Sequence, residues 1–144
     1  MSYATILVAV DIDNPALAHA AMASAAEVAG AQGQVHILYV RHHLPTRYSA
    51  LLASDFDERE GAEARAHMKA WADETRLDPA RTRFVTHRGR VRDEVLNEAE
   101  SCKADLIILA SHQPSLVSRL LGSNASAIVH QSPISVLVVR VGEK

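Results

Sequence analysis

Apolar runs of strand length alternate along the chain with stretches in which apolar residues return at helical spacing. Tyr3 to Val10 is nearly continuous in apolar residues, the pattern of a strand covered on both faces. Val35 to Val40 and Leu106 to Ala110 repeat it, and Ile134 to Val141 forms the last such run. Arg83 to His87 is more polar, which predicts a strand nearer a sheet edge. Between the first two runs, Asn14-Pro15 offers an N-cap followed by proline at the first helical position. Leu17, Ala21, Ala25 and Val28 then recur at helical spacing, with Gly30 or Gly33 as the stop. A charged amphipathic helix is predicted from about 56 to 76, with Ala64, Met68, Trp71 and Thr75 along one face. Asp78-Pro79 signals a turn. Val91, Val95, Ala99 and Cys102 make the inner stripe of a third helix. A short fourth one starts at Gly122-Ser123, turns Ile128 and Val129 inward, and stops at Pro133. Residues 41–54 and 111–121 read as irregular connections.

The order is therefore β-α-β-α-β-α-β-α-β: a three-layer α/β/α fold with a five-stranded parallel sheet and right-handed crossovers. No linker or internal repeat interrupts it, so residues 1–144 are expected to form one domain. The 24 alanines, concentrated in 16–31 and 62–72, suit helices lying close against a sheet. A formal charge of −2 argues against broad nucleic-acid or membrane-surface binding. The apolar stretches are far shorter than the ~20 residues that span a bilayer. The opening Met1-Ser2-Tyr3-Ala4 shows no signal-peptide pattern, and a cytoplasmic protein is expected. The lone Cys102 excludes an internal disulfide and any cysteine-based zinc site.

In open α/β sheets, ligands bind beyond the carboxyl ends of the strands, where the strand order reverses. That directs attention to Asp11-Ile12-Asp13, Arg41-His42-His43, Arg88-Gly89-Arg90 and Ser111-His112-Gln113-Pro114. The last of these leads to Gly122-Ser123-Asn124 at a helix start, where unpaired N–H groups and the positive dipole end suit a phosphate. Gly122 would let an anion approach closely, and Ser123 and Ser126 would add hydroxyls; the same Gly-Ser also reads as an ordinary cap. A Walker loop, a dinucleotide Gly-x-Gly-x-x-Gly after the first strand and a Gly-x-Ser-x-Gly elbow are all missing. A phospho-acceptor domain would end its third strand in Asp, whereas this one ends Thr86-His87. His42-His43 lacks a third spaced ligand and reads as polar loop. Cys102, Met68 and Trp71 fall at core spacing, and the run from Asp55 to Glu60 reads as a solvated helix start.

Asp105-Leu-Ile-Ile-Leu-Ala-Ser-His-Gln-Pro, Arg119-Leu-Leu-Gly-Ser-Asn-Ala-Ser and Ser132-Pro-Ile-Ser-Val-Leu-Val-Val-Arg140 together resemble the universal stress protein family. Ile6-Leu-Val-Ala-Val-Asp11 and Gly89-Arg90-Val91 match as well, so the resemblance spans the chain. It implies strand order 3-2-1-4-5 and a homodimer or tetramer built through the last strand, with Val136, Val138 and Arg140 in the interface. It implies an adenine nucleotide, ATP or AMP, as cofactor. Val10 and Asp11 would meet adenine and ribose, and Val40 would wall the base. Ala110, Ser111, His112 and Gln113 would line sugar and phosphates, Gly122, Ser123 and Asn124 would hold the phosphate tail, and Asp13 would hold Mg2+ through water. The chain departs from the nucleotide-binding pattern Gly-x-x-Gly, nine residues, Gly-[Ser/Thr]. Ala110 and Gln113 occupy the two glycine positions, and eight residues precede Gly122. It is closer to a small bacterial subgroup with Ser-His-x-Pro and Leu-Leu-Gly-Ser-Asn, in which arginine usually stands at the Gln113 position. Arg119, Arg41 and Arg88 are the candidates to replace that charge.

Two functions follow. One is a nucleotide-binding stress-response regulator; the alternative is a dimeric interaction module of the same fold that no longer holds phosphate. No activated nucleophile beside a base and no paired carboxylates appear, so catalysis is not expected.

Overall fold

The computed structural model describes residues 3–41, 56–112 and 122–142. Strands β1 (Thr5–Val10), β2 (Gln34–Arg41), β3 (Thr82–Arg88), β4 (Leu106–His112) and β5 (Ser135–Val141) alternate with helices α1 (Pro15–Ala29), α2 (Phe56–Glu74), α3 (Val91–Ser101) and α4 (Ser123–Gln131). The strands form one parallel sheet, as the alternation leads one to expect, in the order β3-β2-β1-β4-β5 that the resemblance implies. No helix among the described residues is long and apolar enough to cross a membrane.

The central strands are apolar on both sides because both sides are covered. Ile6, Val8, Ile37 and Ile108 face α1 and α2, meeting Ala21, Met22 and Met68. Leu7, Leu38 and Ile107 face α3 and α4, meeting Val95, Ala99 and Ile128. The buried stripe of α1 is Ala18, Ala21, Met22, Ala25 and Ala29, so Leu17 and Val28 flank it rather than form it. Val129 is also a correction, since it is exposed and Ile128 alone turns inward. Thr75 is buried below the end of α2, where its hydroxyl donates to the Trp71 carbonyl at 2.8 Å. Gly30 stops α1 with a left-handed φ of 66°, and a Cβ on Gly33 would run into the Ala29 carbonyl, so each glycine has its own task. Asp78-Pro79 opens a single 3-10 turn, with the Asp78 carboxylate accepting from the Ala80 amide.

The two central strands are tied at their amino ends by Asp105. Its carboxylate accepts from the Ala4 amide at 2.9 Å and the Thr5 amide at 3.0 Å. Desolvation raises the pKa of this acid, but the amides of Ala4, Thr5 and Asp105 itself outweigh it, and the group sits below the usual carboxylate range. Asp105→Ala is expected to cost about 1–2 kcal/mol in urea unfolding, the scale of charge-assisted bonds lost. A depressed acid contributes stability that is present above its unfolded pKa and lost as pH falls through the folded one. The gap between native and variant should therefore be full near neutrality and close in the acid range below the ordinary aspartate pKa.

Candidate functional site

The strand order reverses between β1 and β4, and their carboxyl ends part there to leave a crevice. It is a cavity of about 490 Å³, bounded by β1, β2 and β4 and by the amino ends of α1, α3 and α4. That volume suits a small-molecule ligand. Nine residues singled out from the sequence line it: Val10, Asp11, Val40, Ala110, Ser111, His112, Gly122, Ser123 and Asn124. The tenth, Gln113, lies outside the described residues, as do Arg119 and His42-His43. Asp13 is not itself a lining residue, but its amide donates to Asp11 and its carboxylate acts on the Tyr39 phenol, both of which line the cavity.

The cavity is apolar at depth and polar at its rim. Leu38, Val40, Val91, Val95, Leu109 and Ile128 supply the apolar wall. At one side of the rim, the Asp11 carboxylate accepts from the Asp13 amide at 2.9 Å and from Asn14 Nδ2 at 3.2 Å. These bonds fix its orientation and leave lone pairs for a further donor. Asn14 thus spends its side chain on Asp11 and not on capping α1. Tyr39 stands nearby, its phenol pushed up by burial and then by Asp13, Asp11 and Glu60, so it stays protonated at neutral pH.

Across the cavity, α4 begins after Gly122, which as N-cap has no side chain to offer its first turn. Ser123 is the first helical residue, so it is not the cap that Gly-Ser suggested. A Cβ on Gly122 would meet nothing within 4 Å. The amino end of α4, with its dipole, therefore borders the cavity. Ser111 and His112, read from sequence as loop, extend β4 and pair with Arg140 and Val141 of β5. Ser111 Oγ donates to the His112 carbonyl at 3.4 Å rather than to an imidazole, and Arg140 Nη1 donates to the same carbonyl at 2.9 Å. Arg140, expected in a subunit interface, thus holds the end of β4.

Two of the three proposed replacement cations, Arg41 and Arg88, are otherwise engaged. Arg41 is buried, and its Nη1 donates to Asp57 Oδ1 at 2.7 Å and to the Asp57 carbonyl at 2.9 Å. Arg88 donates to Asp57 Oδ1 and Glu60 Oε1, both at 3.0 Å. The hydrogen bond from Arg88 holds the Asp57 carboxyl below its usual range, burial opposes it, and Arg41 adds to it. Asp57 and Glu60 at the start of α2 therefore clamp the ends of β2 and β3, while Asp57, Glu58 and Arg59 remain exposed, as the solvated-face reading expects. No Lys or Arg lines the cavity among the described residues.

Asn14, Leu17, Tyr39, Val91 and Ile128 are lining residues that sequence reasoning did not assign to the site. Tyr39 was available from its place at a strand end. Leu17 and Ile128 were read as core, and they are partly that.

Comparison with known proteins agrees with this architecture. The sequence model of the universal stress protein family matches residues 2–140. Universal stress protein G of Escherichia coli O157:H7 is 35% identical, with 96% of this chain and 99% of that protein covered. Among solved structures, the universal stress protein UspA from Lactobacillus plantarum superposes with a TM-score of 0.74 at 26% identity, covering 97% of this chain and 99% of that one. A universal stress protein from Archaeoglobus fulgidus in complex with dAMP gives 0.65 at 18% identity, covering 96% and 99%. Another, in complex with cAMP, gives 0.64 at 20%, covering 97% and 98%. With the family model spanning nearly the whole chain and a relative above 30% identity, this chain belongs to the universal stress protein family.

Proposed function

We propose that this protein is an adenine-nucleotide-responsive regulator of the stress response, binding ATP or AMP in the cavity at the β1–β4 divide. The observation that carries the reading is the glycine-led start of α4, where a Cβ on Gly122 would meet nothing within 4 Å, across a nucleotide-sized cavity from an oriented Asp11. In this reading adenine enters the apolar wall beside Val10 and Val40. Asp11 accepts from the ribose hydroxyls. Ala110, Ser111, His112 and Gln113 follow the sugar and first phosphate, and the amides of Ser123 and Asn124 take the tail. Adenine nucleotides on two relatives of this fold support the ligand class. Mg2+ would arrive on the phosphate oxygens of ATP, with Asp13, beside Asp11, as the carboxylate that would hold it through water. The protein acts by occupancy and not by turnover, as a cytoplasmic homodimer or larger assembly joined through β5.

Titrating nucleotide-stripped protein with ATP and Mg2+, and separately with AMP, by calorimetry tests this. Saturable binding in the micromolar range is the expected outcome. A folded protein that takes up neither nucleotide would overturn it and favour the dimeric interaction module, with Gln113 in place of a cation as the reason.

A further inference from the structure

A second group of chemically competent side chains gathers on the α3 side of β2, away from the cavity. Alternation along β2 puts His36 on the same face as Leu38 and Val40, the face that α3 covers. From α3 come Glu98 and Cys102, four residues and so about one turn apart. An imidazole nitrogen of His36, a carboxylate oxygen of Glu98 and Sγ of Cys102 all lie within 4.8 Å of one another, and all three residues are half-buried. Glu98 is already oriented, since its Oε2 accepts from His87 Nε2 at 2.9 Å.

As an ordinary polar seam this group is poorly satisfied. His36 has no hydrogen-bond partner among the described residues, and the Cys102 thiol reaches only the Ala99 carbonyl, at 3.9 Å. Burial, with Arg83 adding to it and Glu98 opposing it, holds the His36 imidazole below its usual range, so a ring lone pair is open at neutral pH. One nitrogen, one oxygen and one sulfur form a donor set that suits a borderline-soft ion and not Mg2+ or Ca2+. Zinc bonds of about 2.0–2.3 Å put tetrahedral ligand atoms roughly 3.3–3.8 Å apart, so small rotamer changes close the cluster.

We propose that His36, Glu98 and Cys102 form a binding site for one zinc-type divalent cation, with water or an outside donor as the fourth ligand. His87 acts as a positioning residue that orients the Glu98 carboxylate. On binding, the Cys102 S–H bond breaks, the S–metal bond forms and the proton leaves to solvent. A mixed donor set thus reopens the zinc chemistry that the lone cysteine was read to rule out, because Glu98 stands one turn away on the same helix and His36 comes from a strand distant in sequence.

The test uses tag-free, chelator-stripped full-length protein titrated with Co2+, which reports thiolate ligation by a charge-transfer band in the near ultraviolet, followed by displacement with Zn2+. One equivalent of Co2+ should raise the band, and Zn2+ should remove it. Cys102→Ser should abolish the band. His87→Gln should weaken binding roughly 10- to 100-fold, as losses of an orienting partner do. Circular dichroism of each metal-free variant checks its fold, and His36→Gln stands in for any that is disturbed, with weakened binding again expected. The proposal fails if the native protein gives no thiolate band, or if Zn2+ affinity is the same in the native and substituted proteins, as for adventitious binding at other histidines. ATP binding should be unchanged in Cys102→Ser, which keeps this outcome distinct from that at the cavity.

Discussion

Gly122→Val is expected to lower nucleotide affinity roughly 100-fold or more, the cost of about two charge-assisted hydrogen bonds, while leaving the protein folded. The separation of the two effects follows from the local geometry. Gly122 has φ −54° and ψ 152°, values open to any L-residue, and a Cβ there meets no neighbour within 4 Å. Neither strain nor collision within the protein therefore results, and the stability cost should stay within about 1 kcal/mol, that of a poorer N-cap residue. A ligand sees the position differently. Phosphate oxygens must come within hydrogen-bond distance of the Ser123 and Asn124 amides, and an isopropyl group beside them fills that approach. Calorimetry beside a urea titration separates the readouts. Equal affinity in native and variant proteins would move the phosphate away from α4, and lost stability would make Gly122 a packing residue after all.

What the sequence made legible depends on how local each signal is. Buried strands announce themselves as apolar runs, and parallel strands put all their carboxyl ends on one side. Asp11, Ser111 and His112 could thus be gathered from strand ends, and Gly122 to Asn124 from a helix start, whereas Val10, Val40 and Ala110 came only from the family resemblance. The clamp of Arg41 and Arg88 on Asp57 and Glu60 was not legible, because its halves lie on different elements and a charged helix start reads equally well as solvated. Asn14 illustrates another limit. Its capping propensity is real, yet the neighbouring Asp11 offers a competing acceptor and takes the side chain. The group at His36 was hidden for the same reason as the clamp: Glu98 and Cys102 share a helix face, but nothing local says that β2 passes beneath it.

Leu137→Asp should turn a β5-mediated dimer into monomer, read as a halved mass by light scattering. The sheet has two edges, and they differ in character. β3 carries Arg83, His87 and Arg88, the charged kind of edge that resists pairing. β5 reads Ser-Val-Leu-Val-Val-Arg-Val, and its single charged residue is turned back onto the His112 carbonyl. Leu137 is 38% exposed on this strand, and Val136 and Val138 are half-buried beside it. A two-fold partner strand would cover that edge and satisfy its outward backbone groups. A carboxylate at 137 would be desolvated without a partner in such an interface, a penalty of several kcal/mol, but it stays hydrated in a monomer. The substitution therefore acts on assembly and spares the fold. Val138→Pro is the harsher companion, because it removes an amide from the strand and should give monomer or insoluble protein. If both variants remain well-behaved dimers, the subunits meet elsewhere and β5 is covered by some other means.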